Sequence, residues 1–205
     1  MCPWSHILKC TLQRTGRSLA INPVDEMAVI SVGNEVRGYG LQRLSLRDIG
    51  SVEYISVHTG VIRDIKCSPF QQSLVLSTGL DKQLALTCMN NQHVLLKYPT
   101  EKAGWSCAFD ESDPNILYCG LANNTVLIFD NRNTNTHLQQ LHPDGPNAAI
   151  HSLAVTKTEA GRMLLCSNTL GSYAWELGSS GGPVHHSLPS LERDGIYTHF
   201  KLFGS

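Results

Sequence analysis

The chain has 205 residues, 41% hydrophobic and 16% charged, with a net charge of −1 at pH 7. These figures set aside wholesale disorder and leave no basic footprint for direct nucleic-acid binding. No uninterrupted apolar run approaches the ~20 residues of a membrane span, and Met1-Cys2-Pro3-Trp4 lacks the basic and apolar regions of a secretory signal. The cysteines are odd in number at seven and include no C-x-x-C pair, so they predict a reducing compartment rather than a disulfide framework.

In chain order, residues 1–14 come first as an N-terminal segment. Its Cys2-x3-His6-x3-Cys10 offers three metal ligands without a fourth nearby, so no metal site is expected there. Leu19-Ala20-Ile21-Asn22-Pro23 starts a first β-rich unit. Asn34 to Gly40, with Gly38-Tyr39-Gly40, is predicted as an expanded turn in it, and Glu53 to Val57 as its last strand. His58-Thr59-Gly60 leads into a second unit whose strands include Ile62 to Pro69 and His93 to Tyr98. The third unit is the clearest: strands at Trp105–Phe109, Ile116–Cys119 and Thr125–Phe129 are closed by Asp130, with polar turns at Asp110 to Asn115 and Asn123-Asn124. Leu138 to Leu141 follows as a further strand. Cys67, Cys107 and Cys119 fall inside apolar strand patterns, where reduced cysteine serves as a small core residue.

The units repeat. A shift of 42 carries Ile62–Pro69 onto Gly104–Glu111 and Thr87 onto Phe129 without a gap. A shift of 46 carries Cys107 onto Leu153 and Phe129 onto Trp175, and the same step back from Pro69 reaches Pro23. Four units at this spacing fit the ~40–45-residue period of WD repeats. Val75 alternates with Leu74 and Leu76, and Val126 and Ile128 with Leu127 and Phe129, so both faces of each sheet are apolar and packed. The predicted fold is all-β: about four WD40-type β-propeller blades over residues 15–177, part of a larger or incomplete ring, since propellers hide their strand edges by closing. Residues 178–205 are a Gly/Ser/Pro linker and a divergent tail.

His58, Ser77 and Asp81 occupy the slots of the hydrogen-bonded cluster that ties WD strands together. Thr87, Phe129 and Trp175 share the Trp slot, Asn123 and Thr169 replace Asp81, and Asp130 and Glu176 follow the Trp slot. No G-x-S-x-G, Walker loop, H-E-x-x-H or G-x-G-x-x-G is present, so no catalytic residue is assigned. Asp110, Glu111 and Asp113 are expected to cap a turn in solvent, and His185-His186 to be a solvated pair. Partner contact is expected instead at the equivalent position just inside each first strand: Arg17, Arg63, Trp105 and His151, a composition typical of interface hot spots.

Ser56 to Thr87 and Trp105 to Thr134 resemble the WD region of the RING-finger and WD-repeat E3 ubiquitin ligases of DNA repair. The shared features are Leu86-Thr87 in place of Trp-Asp, Trp105-Ser106-Cys107, Gly120-Leu121-Ala122-Asn123, Asp130-x-Arg132-Asn133-Thr134 and the insert Gly38 to Ser45. The resemblance implies a nuclear protein (with a cytoplasmic location as the alternative) whose propeller engages replication protein A in the replication-stress response and interstrand crosslink repair. It further implies that ubiquitin transfer from an E2 depends on a zinc-binding RING, which this chain lacks. For this chain itself it implies no cofactor and a non-catalytic recognition role; the alternative is a generic WD-repeat adaptor.

Overall fold

The structure, a computed structural model, describes residues 15–34, 38–48, 51–159, 161–178 and 182–188, and every helix or strand among them is a strand. The Cys2, His6 and Cys10 trio and most of the divergent tail lie outside the described residues. Four antiparallel sheets follow one another along the chain, each a meander whose sequence neighbours are also spatial neighbours. The first contains β1 (Thr15–Asn22), β2 (Met27–Asn34), β3 (Gly38–Ser45) and β4 (Val52–His58). The second contains β5 (Ile62–Cys67), β6 (Leu74–Gly79), β7 (Gln83–Cys88) and β8 (His93–Pro99). The third is β9 (Gly104–Phe109), β10 (Ile116–Leu121), β11 (Val126–Asp130) and β12 (Gln139–Leu141). The fourth is β13 (Ser152–Thr158), β14 (Gly161–Asn168), β15 (Gly171–Leu177) and β16 (Val184–Ser187).

The repeat extends to the turns. Lys82 and Asn124 sit one 42-residue step apart, and both adopt left-handed backbone, with φ of 59° and 62°. Each lets the chain reverse between the second and third strands of its blade.

Strand alternation divides the apolar side chains between neighbouring sheets. Val75 and Ala85 face the first sheet and pack with Met27, Val29, Leu41 and Ile55. Leu74, Leu76, Leu84 and Leu86 face the third and meet Cys107, Leu117, Leu127 and Phe129. Tyr118, Val126 and Ile128 turn the other way, onto Leu153, Val155, Leu164 and Trp175. Burying each aliphatic side chain of this size contributes about 1.5–3 kcal/mol, so these interfaces hold the blades together. Three cores join four sheets in a row, and the arc is open: on the far face of the first sheet Leu19 and Ile21 are each 58% exposed. The architecture is that of WD40 blades in an unclosed array.

Two expectations are corrected. Gly38, Tyr39 and Gly40 lie in β3 and pair with β2 and β4 rather than forming a turn. Gly40 is demanded by crowding, because a Cβ there would stand 2.2 Å from the Ile55 carbonyl oxygen and 2.8 Å from the Tyr54 ring. The fourth sheet also continues past the glycine-rich segment, since Val184 to Ser187 pairs with β15. His185 packs against the rings of Tyr173 and Trp175 and His186 lies 3.6 Å from Glu176, while both histidines stay exposed, as expected of a solvated pair. A four-residue strand of Val-His-His-Ser carries too little alternation to be visible in sequence.

Candidate partner-binding site

The innermost strands of the first three blades share an irregularity near their starts. Ile62 stands opposite Gly79 and Asp64 opposite Thr78, so Arg63 has no counterpart on β6. Gly104 faces Leu121 and Ser106 faces Gly120, which leaves Trp105 unopposed in the same way. In β1 the register jumps between Gly16 and Leu19, and the N–H groups of Arg17 and Ser18 both donate to Ser31 Oγ, at 3.3 and 2.8 Å. These are β-bulges, which re-aim a side chain out of strict alternation. Arg17, Arg63 and Trp105 accordingly line one depression of about 610 Å³, together with Ser18, Asp64, Lys66, His151 and Ser152. His151 arrives from just ahead of β13, where its N–H donates to the Ser167 carbonyl at 2.9 Å.

Three of these side chains form a continuous stack contributed by three blades. The Arg63 guanidinium carbon lies 3.5 Å from the Trp105 ring centroid. The Trp105 and His151 centroids are 4.8 Å apart, with the rings at 87°. A guanidinium over an indole is worth about 0.5–2 kcal/mol and leaves the N–H edges of the guanidinium free to donate. Burial, and secondly the nearby charge of Arg17, lowers the Arg63 pKa from its ordinary value. Among the described residues neither Arg17 nor Arg63 has a carboxylate within ion-pair distance.

Asp64 is the part of the site that sequence reasoning missed. Its carboxylate accepts the Cys107 N–H at 3.0 Å, its own neighbour Ile65 N–H at 2.9 Å and the Ser18 hydroxyl at 3.5 Å, and so ties three blades together. Burial raises its pKa, while the charge of Lys66 at 3.7 Å and these hydrogen bonds oppose the rise. With Arg63 and Lys66 in the same strand, Asp64 reads in sequence as one more surface charge, so composition alone gave no signal of its burial.

The repeat positions have structural work instead. His58 Nδ1 donates to Asp81 at 2.9 Å, His58 Nε2 is 2.9 Å from Ser77 Oγ, and the Thr59 N–H reaches Asp81 at 3.0 Å. Thr87 stands outside this cluster, and its buried hydroxyl has no partner among the described residues. Asp130 pairs with Arg132 at 2.6 Å across its own turn. Trp175 belongs to the third core, and its indole nitrogen has no partner among the described residues. Asp110 does cap its turn but is fully buried rather than solvated: Tyr118 donates to it at 2.7 Å and Arg162 pairs with it at 3.2 Å from the next blade. Among the described residues no group of three His, Cys, Asp or Glu side chains could hold a metal ion.

The family model for the E3 ubiquitin-protein ligase RFWD3 WD40 domain matches residues 6–177. The chain belongs to the RFWD3 WD40 domain family. It is 35% identical over 165 residues to the E3 ubiquitin-protein ligase RFWD3 of Mus musculus, covering 78% of this chain and 21% of that protein. With the RFWD3 of Homo sapiens the identity is 36% over 104 residues, 51% of this chain and 13% of the relative. The Ailuropoda melanoleuca protein is 29% identical over 157 residues, 74% and 20% of the two chains. The chain thus spans about a fifth or less of the length of these RFWD3 relatives. The match spans Arg17, Arg63, Trp105 and His151.

Proposed function

We propose that this chain is the partner-recognition module of an RFWD3-like ubiquitin ligase, and that partners dock at the depression where the first strands converge. The observation that carries this reading is the Arg63–Trp105–His151 stack, built by residues from three blades that have no shared role in blade packing. An arginine and a tryptophan held by one another, half-exposed in a concavity, are the composition and shape of an interface hot spot. The ligase chemistry belongs to a RING with eight Cys/His zinc ligands, which positions a ubiquitin-charged E2; the blades select what that E2 modifies. By the family resemblance the setting is nuclear, in the replication-stress response and interstrand crosslink repair, and the first partner to test is replication protein A.

The test is capture of purified replication protein A by the full chain, comparing wild type with Trp105→Ala. The variant should keep the far-UV circular dichroism of the wild type and lose at least about tenfold in affinity, the loss expected for a hot-spot aromatic. Unchanged capture by a folded Trp105→Ala variant would remove the depression as the docking site.

A further inference from the structure

We infer that the depression takes an acidic peptide segment, with side-chain carboxylates seated between Arg17 and Arg63. The inference rests on the docking reading above and adds the chemical class of the partner. Three cationic side chains, Arg17, Arg63 and Lys66, line the concavity against one carboxylate, Asp64. Asp64 is already spoken for by two backbone N–H groups, the Ser18 hydroxyl and Lys66. The two arginines therefore confront each other with no negative charge between them among the described residues, and the charge of Arg17 acts on Arg63. This concentration of positive charge occurs in a chain whose net charge is −1, so it is local to the site. An incoming carboxylate removes the repulsion and gains charge-assisted hydrogen bonds. The planar Arg63 fork is held for it by the Trp105 ring, which lowers the entropy lost on binding.

The same geometry disfavours single-stranded nucleic acid. Strand binders use several aromatic platforms along a continuous basic groove. Here a single indole lines the depression, its ring is already stacked by Arg63 at 3.5 Å, and the cations are confined to one concavity.

Fluorescence anisotropy with the full 205-residue chain tests this. The probes are a labelled peptide of about eight residues rich in Asp and Glu, its Asn/Gln isostere, and a short oligothymidylate, each titrated at low and high salt. The acidic peptide should bind at least about tenfold more tightly than the isostere, consistent with two charge-assisted contacts, and should weaken as salt rises. Arg17→Gln and Arg63→Gln should each abolish that preference, whereas Arg132→Gln, whose guanidinium is held by Asp130, should leave it intact. Equal binding of the two peptides, tighter binding of the oligothymidylate, or equal loss in all three arginine variants would overturn the inference. The two readings fail separately. If Trp105→Ala abolishes capture of replication protein A while the Gln variants do not, the docking site stands and the acidic partner falls. If Trp105→Ala leaves capture intact, the docking site itself falls.

Discussion

Replacing His58 by alanine should cost about 3–5 kcal/mol of folding stability, the usual cost of leaving a buried carboxylate without its partner. The imidazole side chain is 0% exposed and Asp81 only 3%, so water cannot substitute for the lost contact. Asp81 would keep the Thr59 N–H at 3.0 Å but lose the His58 Nδ1 donor at 2.9 Å, and Ser77 would lose its side-chain partner at 2.9 Å. For a domain of this size each kcal/mol moves the midpoint by about 2–4 °C, so the variant should melt roughly 6–20 °C lower. The difference should also depend on pH. Burial alone would raise the Asp81 pKa, yet the His58 hydrogen bond and charge and the Thr59 N–H hold it below the ordinary value. A depressed carboxylate contributes stability that is fully present above its unfolded pKa, near 3.9, and is lost as pH falls through the folded value. The gap between wild type and His58→Ala should therefore be largest near neutrality and narrow as pH falls below about 4. Thermal melts followed by far-UV circular dichroism at several pH values measure both effects. A loss under about 1 kcal/mol at pH 7, or a gap that stays constant to pH 3, would refute the reasoning.

Thr87→Val should leave stability unchanged or raise it by about 1 kcal/mol in urea unfolding, because a buried hydroxyl without a partner among the described residues becomes a methyl between Val75 and Val94 in the cross-strand row. A clear loss would mean that the hydroxyl is bonded in solution. Gly104→Ala should destabilise by about 1–3 kcal/mol in the same assay, since the new Cβ would lie 1.8 Å from Thr78 Oγ1; wild-type stability would mean that the strands yield there. In the native chain at pH 8, Cys107, Cys119 and Cys166 should resist iodoacetamide, with mass spectrometry showing labelling only after unfolding. All three are buried, and burial pushes the Cys119 thiol up to about 12; rapid native labelling of any of them would show that a blade interface opens.

The blade architecture was legible because two periods reinforced each other. The 42-residue step fixed equivalent positions, and the two-residue alternation assigned Leu74 and Leu76 to one interface and Val75 to the other. Glycine was misleading at Gly40, where it answers a steric demand across β3 and β4 instead of marking a reversal. The short strand Val184–Ser187 lacked any periodic signal. At the site, equivalence of position singled out Arg17, Arg63, Trp105 and His151, which line one depression. Their stacking order and the bridging role of Asp64 depend on bulges, which arise from how many residues oppose how many on the next strand. That is a property of two strands at once and has no local composition signal. The buried pairing of Asp110 with Arg162 was hidden for the same reason: its partner is 52 residues away.

The bulges have a consequence for how such a module can vary. A regular strand offers its side chains only two directions, and in the inner blades both are committed to a neighbouring sheet. Any change along it disturbs packing on one side or the other. The extra residue at Arg63 and at Trp105 points in a third direction, toward the depression, and belongs to neither apolar core. Substitutions there change the lining of the depression and cost the blades only the Arg63–Trp105 contact, about 0.5–2 kcal/mol. Conversely, the drift of the Trp slot through Thr87, Phe129 and Trp175 alters packing without reaching the depression. The fold thus keeps the bulged side chains that line the depression separate from the apolar ones that hold the sheets together.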